Sequence, residues 1–366
     1  MEHKKIAIIG LGLIGGSIAR ALKERCGITD IAAVNRNPES LEQAISDGTI
    51  SQGFNEIDKY IYDSDIIFLC TPVKKTIEFL EILAPKVKKE CIITDVGSTK
   101  NDIVTYVNNM VNPPVFIGGH PMAGTEKNGY KASFSHLFEN AYYILSPCKS
   151  TTRESIDIMV QIIKSIGGIP VVIEACEHDR ITGSISHVPH IIASSLVNMV
   201  KESDSPEGKM RMLAAGGFKD ITRIASSSPE MWENIVTSNS NEIEGILDKF
   251  INILNKFKEL MKKNDRAGIN NFFDSAKQYR DLFSESSKGL IIPVYKIIVD
   301  VIDKPGIIGE IATILGKNRI NIKNINVSNN REFEQGCLVI TLTDTESAYA
   351  AFDLLNNNGY KVYRNT

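Results

Sequence analysis

The stretch KKIAIIGLGLIGGS, residues 4–17, decides the fold of the N-terminal half of the chain. An apolar run ends at Gly10, and a helix-like pattern starts after Gly12, with Gly15 completing the spacing G-x-G-x-x-G. In this strand–turn–helix context, the glycines allow a tight turn and the close approach of a pyrophosphate to the helix N-terminus. The stretch therefore predicts a domain that binds a dinucleotide on a parallel sheet.

The pattern beyond this stretch predicts three domains. Short apolar runs alternate with helix-like stretches, which predicts an α/β domain with a doubly wound, Rossmann-type sheet over residues 1–176. Residues 177–283 show only helical patterns and carry more apolar positions than one helix pair could bury, so they predict an all-helical substrate and dimerisation domain. After a linker at 284–293, the order β-α-β-β-α-β predicts a ferredoxin-like α+β module over 294–366.

Composition excludes several classes of protein. The 366 residues include 41 basic and 44 acidic side chains, and a net charge of −3 gives no electrostatic reason to expect nucleic acid or an anionic membrane as partner. The six cysteines are scattered without a C-x-x-C pair, which argues against zinc and disulfides and favours the cytoplasm. No signal peptide is expected, and no apolar run approaches the roughly 20 residues that span a bilayer.

The position that contacts the adenosine ribose is unusual. An NAD enzyme usually has Asp or Glu at the end of the second strand, whereas this chain has Asn35 followed by Arg36. A neutral amide does not repel a 2′-phosphate and a guanidinium could bind one, so NAD and NADP both stay open, as does a solvent-facing Arg36. The predicted cofactor-binding residues are Gly10, Gly12, Leu13, Ile14, Gly15, Asn35, Arg36, Thr71 and Pro72.

Two further motifs follow strands and predict catalytic residues. DVGSTK contains Ser98, and GGHPMAGTE contains His120. Ligands bind at the carboxyl ends of the strands of such sheets, so both side chains should face one crevice. A near-neutral histidine there can take the proton of a substrate hydroxyl as hydride leaves the same carbon. We expect the glycines before His120 to be required because bulk would keep substrate and nicotinamide apart.

A pair of cations lies in the helical region, in GGFKDITRIA. Lys219 and Arg223 are four residues apart, so they share one helical face and would repel each other without an anion nearby. A substrate carboxylate held by the guanidinium of Arg223 would remove that repulsion, and a solvated basic face is the alternative interpretation.

The histidines of SHVPHIIA, His187 and His190, also share a helical face. No third ligand lies at a suitable spacing, so no metal site is predicted, and lining of the active site or capping is the preferred interpretation. Pro189 predicts a helix start or a kink near a pocket.

Taken in order, GLGLIGGS, DVGSTK, GGHPMAGTE, HVPH and GGFKDITRIA resemble the motifs of prephenate dehydrogenases of tyrosine biosynthesis, over about residues 4–283. The segment DKPGIIGEIATILGKNRINIKNI, at 303–325, resembles an ACT domain, a module that commonly binds amino acids between paired copies and regulates the attached enzyme.

The resemblance implies an oxidative decarboxylation of prephenate to 4-hydroxyphenylpyruvate and CO2 by a homodimer that uses NAD or NADP. It implies that His120 bonds the C4 hydroxyl and that Ser98 contacts that hydroxyl and the nicotinamide. The implied substrate-binding residues are Lys219, Arg223, Asp220, Thr125, Glu126 and His190. Arogenate dehydrogenase and a non-catalytic sensor of NAD(P) or an amino acid are the alternatives.

The C-terminal module is expected to bind L-tyrosine, with phenylalanine as the second candidate. An Asp-x-Pro-Gly turn precedes a helix there, and its backbone N–H groups could bind a carboxylate. The predicted regulatory residues are Asp303, Pro305, Gly306, Gly309 and Asn321.

Overall fold

The computed structural model describes residues 4–124, 127–285, 295–302, 304–329 and 335–364. The chain divides into two compact units, Met1–Ile253 and Leu254–Thr366. The predicted linker at 284–293 lies outside the described residues except for positions 284 and 285, which end a helix.

An eight-stranded sheet forms the centre of the first unit. Its strands are β1 (Ile6–Ile9), β2 (Ile31–Val34), β3 (Gln52–Phe54), β4 (Ile66–Leu69), β5 (Ile92–Asp95), β6 (Val115–Pro121), β7 (Tyr142–Pro147) and β8 (Ile169–Val172). They lie in the order β3-β2-β1-β4-β5-β6-β7-β8. The helices that connect them are α1 (Leu13–Cys26), α2 (Pro38–Ser46), α3 (Lys59–Tyr62), α4 (Val73–Leu83), α5 (Asn101–Asn108) and α6 (Arg153–Ser165).

The sheet confirms the predicted doubly wound α/β class, with one difference in strand direction. β7 pairs antiparallel to β6, whereas β1 to β6 pair parallel to one another. A parallel return needs a crossover of a dozen or more residues, usually helical. In its described residues, the connection from β6 to β7 contains a short 3-10 turn at Tyr130–Ala132 and no longer helix, so the chain returns antiparallel. Neither β3 nor β7 was among the strands predicted from the sequence.

The core lies on both faces of the sheet. Ile6 and Ile8 of β1 belong to one buried cluster, and Ala7 and Ile9 belong to the other. Alternate residues of a strand point to opposite faces, so a strand in the middle of a covered sheet must be apolar throughout. This explains why β1 appears as an unbroken apolar run just before the glycine motif.

Helices follow the sheet along the chain. They are α7 (Ala175–Thr182), α8 (Val188–Ser203), α9 (Lys209–Leu213), α10 (Gly216–Thr222), α11 (Pro229–Ser238), α12 (Ser240–Lys262) and α13 (Arg266–Glu285). A π-helical turn, Gly183–His187, joins α7 to α8 just before Pro189, at the place where the proline predicted a helix start or kink. π-Helical turns are frequent at functional sites. No helix within the described ranges is long and apolar enough to cross a membrane.

The second unit contains a four-stranded antiparallel sheet. Its elements after α13 are β9 (Tyr295–Ile302), α14 (Ile307–Lys317), β10 (Ile322–Asn329), β11 (Gln335–Leu342), α15 (Thr345–Asn357) and β12 (Lys361–Arg364). The strand order is β10-β11-β9-β12. Apolar residues of both helices and of all four strands pack in one cluster. The order of elements is the predicted β-α-β-β-α-β.

Candidate active site

A cleft in the first unit contains both predicted catalytic side chains. It consists of two cavities of about 490 and about 370 Å³ that share Ser98 and His120 in their walls. The larger cavity is lined by the glycine turn and the ends of β4 and β5, and the smaller by α8 and α11. Ser98 and His120 therefore lie where a nucleotide-sized space meets a second, smaller one.

Glycine is needed at each of the three motif positions for a different physical reason. Gly10 has φ of +100°, and a Cβ atom there would lie 2.3 Å from the Cys70 carbonyl oxygen. At Gly15 a Cβ atom would lie 2.1 Å from the Gly10 carbonyl oxygen, so this glycine lets α1 approach the turn. A Cβ atom at Gly12 would have no heavy atom within 4 Å, and Gly12 lines the larger cavity. The open space at Gly12 is where a bound pyrophosphate would need to come close.

The other predicted cofactor residues are divided between the wall of the cleft and its surroundings. Thr71 and Pro72 line the larger cavity, as do Leu13 and Ile14 of α1, whose N-terminus has no side-chain cap. Asn35 and Arg36 are not among the described lining residues. The Asn35 amide oxygen accepts a hydrogen bond from the Leu11 N–H at 3.1 Å, and its amide nitrogen donates to the Asn37 carbonyl at 3.2 Å. Asn35 therefore holds the glycine turn against the start of α2, and Arg36 is exposed.

Asp95, at the end of β5, fixes the turn that carries Ser98 relative to the strand that carries His120. Its carboxylate accepts hydrogen bonds from the Gly97 N–H at 2.8 Å and from the Gly119 N–H at 3.0 Å. The ammonium of Lys100 forms a fully buried ion pair with the same carboxylate. Burial lowers the pKa of Lys100, and the charge of Asp95 opposes that shift. Neither residue was predicted from the sequence to have this role, although both lie in DVGSTK.

The glycines before His120 have a different role from the one expected. A Cβ atom at Gly119 would lie 2.4 Å from the Asp95 carbonyl oxygen and 2.9 Å from the Thr94 hydroxyl. At Gly118 it would lie 3.0 Å from the side chain of Lys100. Neither glycine is among the described lining residues of the cleft. The glycines thus make room for the packing of β6 on β5 and on the Asp95–Lys100 pair. The reason expected from the sequence, that larger side chains would keep substrate and nicotinamide apart, is not the one that these contacts give.

His120 is held in the neutral form. Burial is the main reason that its pKa lies well below its usual range, and repulsion by His178, Lys100 and His187 adds to the effect. A neutral imidazole has one ring nitrogen with a free lone pair, so it can accept a proton. His120 thus has the protonation state that a general base needs at neutral pH.

Two residues that the sequence analysis missed complete the surroundings of His120. Its Nδ1 atom lies 2.8 Å from Nε2 of His178, and Nδ1 of His178 lies 2.7 Å from a carboxylate oxygen of Asp179. Both residues are buried. The dipeptide His178–Asp179, at the start of a helix that follows a strand, was the only sequence signal for them.

The histidines of SHVPHIIA have separate surroundings. Nδ1 of His187 lies 3.0 Å from the Asn239 amide nitrogen, and burial lowers the pKa of His187 to about 4. His190 donates through Nδ1 to the Ser186 carbonyl and stacks on Trp232, with ring centroids 3.8 Å apart. Both histidines line the smaller cavity, consistent with the preferred interpretation as pocket residues.

Comparison with known proteins agrees with this geometry. Residues 18–172 match the family model for the prephenate dehydrogenase nucleotide-binding domain, residues 174–275 the model for the prephenate dehydrogenase dimerization domain, and residues 295–353 the ACT domain. The chain is 38% identical over 338 residues to the prephenate dehydrogenase of Bacillus subtilis, covering 92% of this chain and 91% of that one. The chain belongs to the prephenate dehydrogenase family.

Two further relatives support this assignment. The prephenate dehydrogenase of Lactococcus lactis is 35% identical over 356 residues, which are 96% of this chain and 97% of that one. The crystal structure of the Aquifex aeolicus prephenate dehydrogenase, in complex with hydroxyphenyl propionate and NAD+, superposes with a TM-score of 0.73 at 31% identity. It covers 77% of this chain and 99% of that one. The predicted α/β, Rossmann-type enzyme with a helical dimerisation domain and an ACT domain is therefore confirmed, and the dimerization-domain match supports the predicted homodimer.

The predicted substrate-binding residues of this prephenate dehydrogenase family member are only partly in the cleft. His190 lines it, whereas Lys219, Asp220 and Arg223 are exposed on α10 and the 3-10 turn after it. Thr125 and Glu126 lie outside the described residues. The described residues that line the cleft include no Lys or Arg. Ile224, which follows Arg223 in the sequence, does line the smaller cavity. The backbone of Arg223 therefore lies next to the wall of that cavity.

In the ACT domain, Pro305 and Gly306 directly precede α14, Gly309 lies in its first turn, and Asn321 directly precedes β10. Gly306 has φ of +93° and precedes the helix, which has no side-chain cap. Pro305, Gly309 and Asn321 are exposed, and Asp303 lies outside the described residues.

Proposed function

We propose that this chain catalyses the NAD(P)-dependent oxidative decarboxylation of prephenate to 4-hydroxyphenylpyruvate and CO2. The observation that carries the proposal is the position of His120, a neutral imidazole at the junction of a nucleotide-sized cavity and a smaller one. Family membership and the NAD+ and hydroxyphenyl propionate bound to the Aquifex aeolicus relative support it.

His120 is proposed to act as the base that takes the proton of the C4 hydroxyl of prephenate. Its Nδ1 atom is engaged with His178, so Nε2 is the nitrogen left for the substrate. As the proton leaves, the C4–H bond breaks, hydride departs to the bound nicotinamide, and the electron pair of the O–H bond forms a C4=O bond. The electron pair of the bond to the ring carboxylate then moves into the ring as CO2 leaves, and the oxygen takes a proton back, which gives the aromatic phenol. Ser98 in the same wall is proposed to donate or accept a hydrogen bond at that hydroxyl.

The cofactor fits the larger cavity. Gly12 and the uncapped N-terminus of α1 would hold the pyrophosphate, and Thr71 and Pro72 would line the nicotinamide side. When bound, the nicotinamide supplies the hydride acceptor. Asn35 provides no carboxylate to repel a 2′-phosphate and Arg36 is exposed beside it, so the proposal includes both NAD and NADP.

Prephenate is a dianion, and Lys219 and Arg223 are proposed to bind its carboxylates, with Asp220 orienting them. Ile224 lines the smaller cavity directly after Arg223. Exposed apolar side chains on α9, α10 and the first part of α12 support a homodimer; they include Met212, Leu213, Ile221 and Ile251. Thr125 and Glu126 remain proposed residues of the pocket edge.

The test is a set of initial rates with prephenate and arogenate, each with NAD and with NADP. We expect reduced cofactor to form with prephenate. Arogenate carries an amine in place of the side-chain keto group, so a faster rate with arogenate would replace the proposed substrate. No reduced cofactor with either substrate would overturn the proposed function and favour a non-catalytic sensor.

We further propose that the ACT domain binds L-tyrosine. Gly306 has no side chain, so the N-terminus of α14 has no side-chain cap and its N–H groups can donate to a carboxylate. Pro305, Gly309, Asn321 and Asp303 remain the other proposed residues of this site. Calorimetry on the full chain should show binding of L-tyrosine, with L-phenylalanine as the weaker ligand and D-tyrosine as the control. Heats equal to those of D-tyrosine would contradict this proposal.

A further inference from the structure

A chain of buried polar groups leads from His120 away from the cleft. Nδ1 of His120 lies 2.8 Å from Nε2 of His178, and the two rings meet nearly edge to face at 76°. Nδ1 of His178 lies 2.7 Å from Oδ1 of Asp179. His178 and Asp179 are each 1% exposed or less, so both side chains are shielded from bulk solvent.

Both carboxylate oxygens of Asp179 accept backbone hydrogen bonds. Its two oxygens accept hydrogen bonds from the backbone N–H groups of Lys100 and Asn101, each at 2.8 Å, at the start of α5. Two N–H groups and the positive end of a helix stabilise a negative charge. A carboxylate only accepts hydrogen bonds, so the nitrogen of His178 that faces it must carry the proton.

The direction of each hydrogen bond then follows. With its proton on Nδ1, a neutral His178 can only accept at Nε2, so the Nδ1 atom of His120 must donate. This leaves the lone pair of His120 on Nε2. The Asp179 carboxylate already accepts hydrogen bonds from two backbone N–H groups. Its negative charge is therefore stabilised without a positive charge on His178.

We propose that His178 and Asp179 are positioning residues that hold His120 in the tautomer with its proton on Nδ1 and stabilise the charge it acquires from the substrate hydroxyl. This inference rests on the proposed function. The O–H bond of the substrate breaks, an Nε2–H bond forms on His120, and the positive charge faces Asp179 through His178. The other charged groups around His120 are Lys100, which is paired with Asp95, and His187 on the π-helical turn.

Neighbouring hydrogen bonds fix the geometry of the polar chain formed by His120, His178 and Asp179. The Asn239 amide donates to the Asp179 carbonyl at 2.8 Å, and the Thr182 hydroxyl donates to the His178 carbonyl at 3.0 Å. The backbone of His178 and Asp179 is thus held independently of their side chains. A variant that changes only the imidazole of His178 should therefore leave α7 in place.

The experiment compares two replacements of His178. His178→Gln keeps an oxygen that can accept from Nδ1 of His120 but cannot share the charge, and His178→Phe removes the acceptor. We expect kcat to fall in the order wild type, Gln, Phe, with a loss of about 10²–10⁴-fold for Phe and little change in KM for the cofactor. Cys176→Ser, an exposed change on the same helix, is the control and should leave kcat unchanged.

A second measurement does not depend on activity. The 15N shifts of the histidine rings, assigned by single replacements, should show His120 protonated on Nδ1 in the wild type and in His178→Gln. They should show both tautomers, or the other one, in His178→Phe. If wild-type His120 carries its proton on Nε2, or if kcat is the same in both variants and the wild type, the proposed positioning role is wrong. A wild type inactive on prephenate and arogenate but with the expected tautomer would overturn only the proposed function.

Discussion

The carboxylate of Asp95 accepts a hydrogen bond from the backbone N–H of Gly119 at 3.0 Å and thereby ties the strand of His120 to the turn of Ser98. The two residues are 24 positions apart in the chain and belong to neighbouring strands. Because Lys100 neutralises this buried carboxylate, the ion pair supports the relative position of the two predicted catalytic side chains.

Removal of one partner from this pair should therefore be strongly destabilising. Lys100→Met leaves Asp95 buried without its cation, and we expect the free energy of unfolding to fall by about 3–5 kcal/mol. Urea denaturation measures the loss. Lys75→Met, which breaks the exposed pair with Glu78, is the matched control. Equal effects of the two replacements would contradict a supporting role for the buried pair.

Replacement of His120 should separate catalysis from binding. In His120→Asn, we expect kcat/KM for prephenate to fall about 10²–10⁴-fold, because no side chain can take the hydroxyl proton. The dissociation constant of the cofactor should stay close to that of the wild type, since Gly12 and α1 are untouched. Steady-state rates and fluorescence titration measure both. His136→Asn, at an exposed histidine, is the control, and full activity of His120→Asn would refute the assignment.

His187 should make the fold sensitive to acid. Its folded pKa is lowered to about 4, below the ordinary value of 6.5, mainly because it is buried, and the nearby His178 and His190 add to the effect. The unfolded chain therefore binds the proton first. The stabilisation is fully present above about pH 6.5 and is lost as pH falls towards about 4, by at most about 1.4 kcal/mol per pH unit.

The replacement His187→Gln tests this contribution. The loss of unfolding free energy between about pH 7 and about pH 4.5 should be smaller in the variant than in the wild type, as measured by urea denaturation at each pH. His136→Gln removes an exposed histidine and should leave the pH dependence as it is. If the unfolding free energy of His187→Gln depended on pH in the same way as that of the wild type, the pKa of His187 would not be lowered by folding.

The end of β2 should decide between the two cofactors. Asn35→Asp places a carboxylate beside the ribose site, and we expect kcat/KM with NADP to fall at least about tenfold relative to NAD through repulsion of the 2′-phosphate. The Leu11 N–H keeps an acceptor in this variant. Asn109→Asp, at an exposed position that is not among the described cleft residues, controls for the added charge. An unchanged ratio would mean that Asn35 does not face the 2′ position.

Local sequence patterns were sufficient for most of the fold. The glycine spacing after an apolar run, the alternation of strands and helices, and the order of the C-terminal elements all depend on turn geometry and on side-chain periodicity within a few residues. The same rules predicted that Ser98 and His120 reach one crevice, because the strands before them end at the same edge of the sheet. Those features were readable from the sequence because neighbours along the chain produce them.

The tertiary structure alone decided the features that join distant segments. β7 returns antiparallel because the described part of the connection before it contains no crossover helix. Lys219 on α10 and Arg223 on the 3-10 turn after it are exposed, although their spacing suggested that they bind a substrate carboxylate. His178 meets His120 from 58 residues further along the chain. No local period encodes such a contact, since a hydrogen bond between distant side chains exists only after the helix and the strand that carry them have packed together.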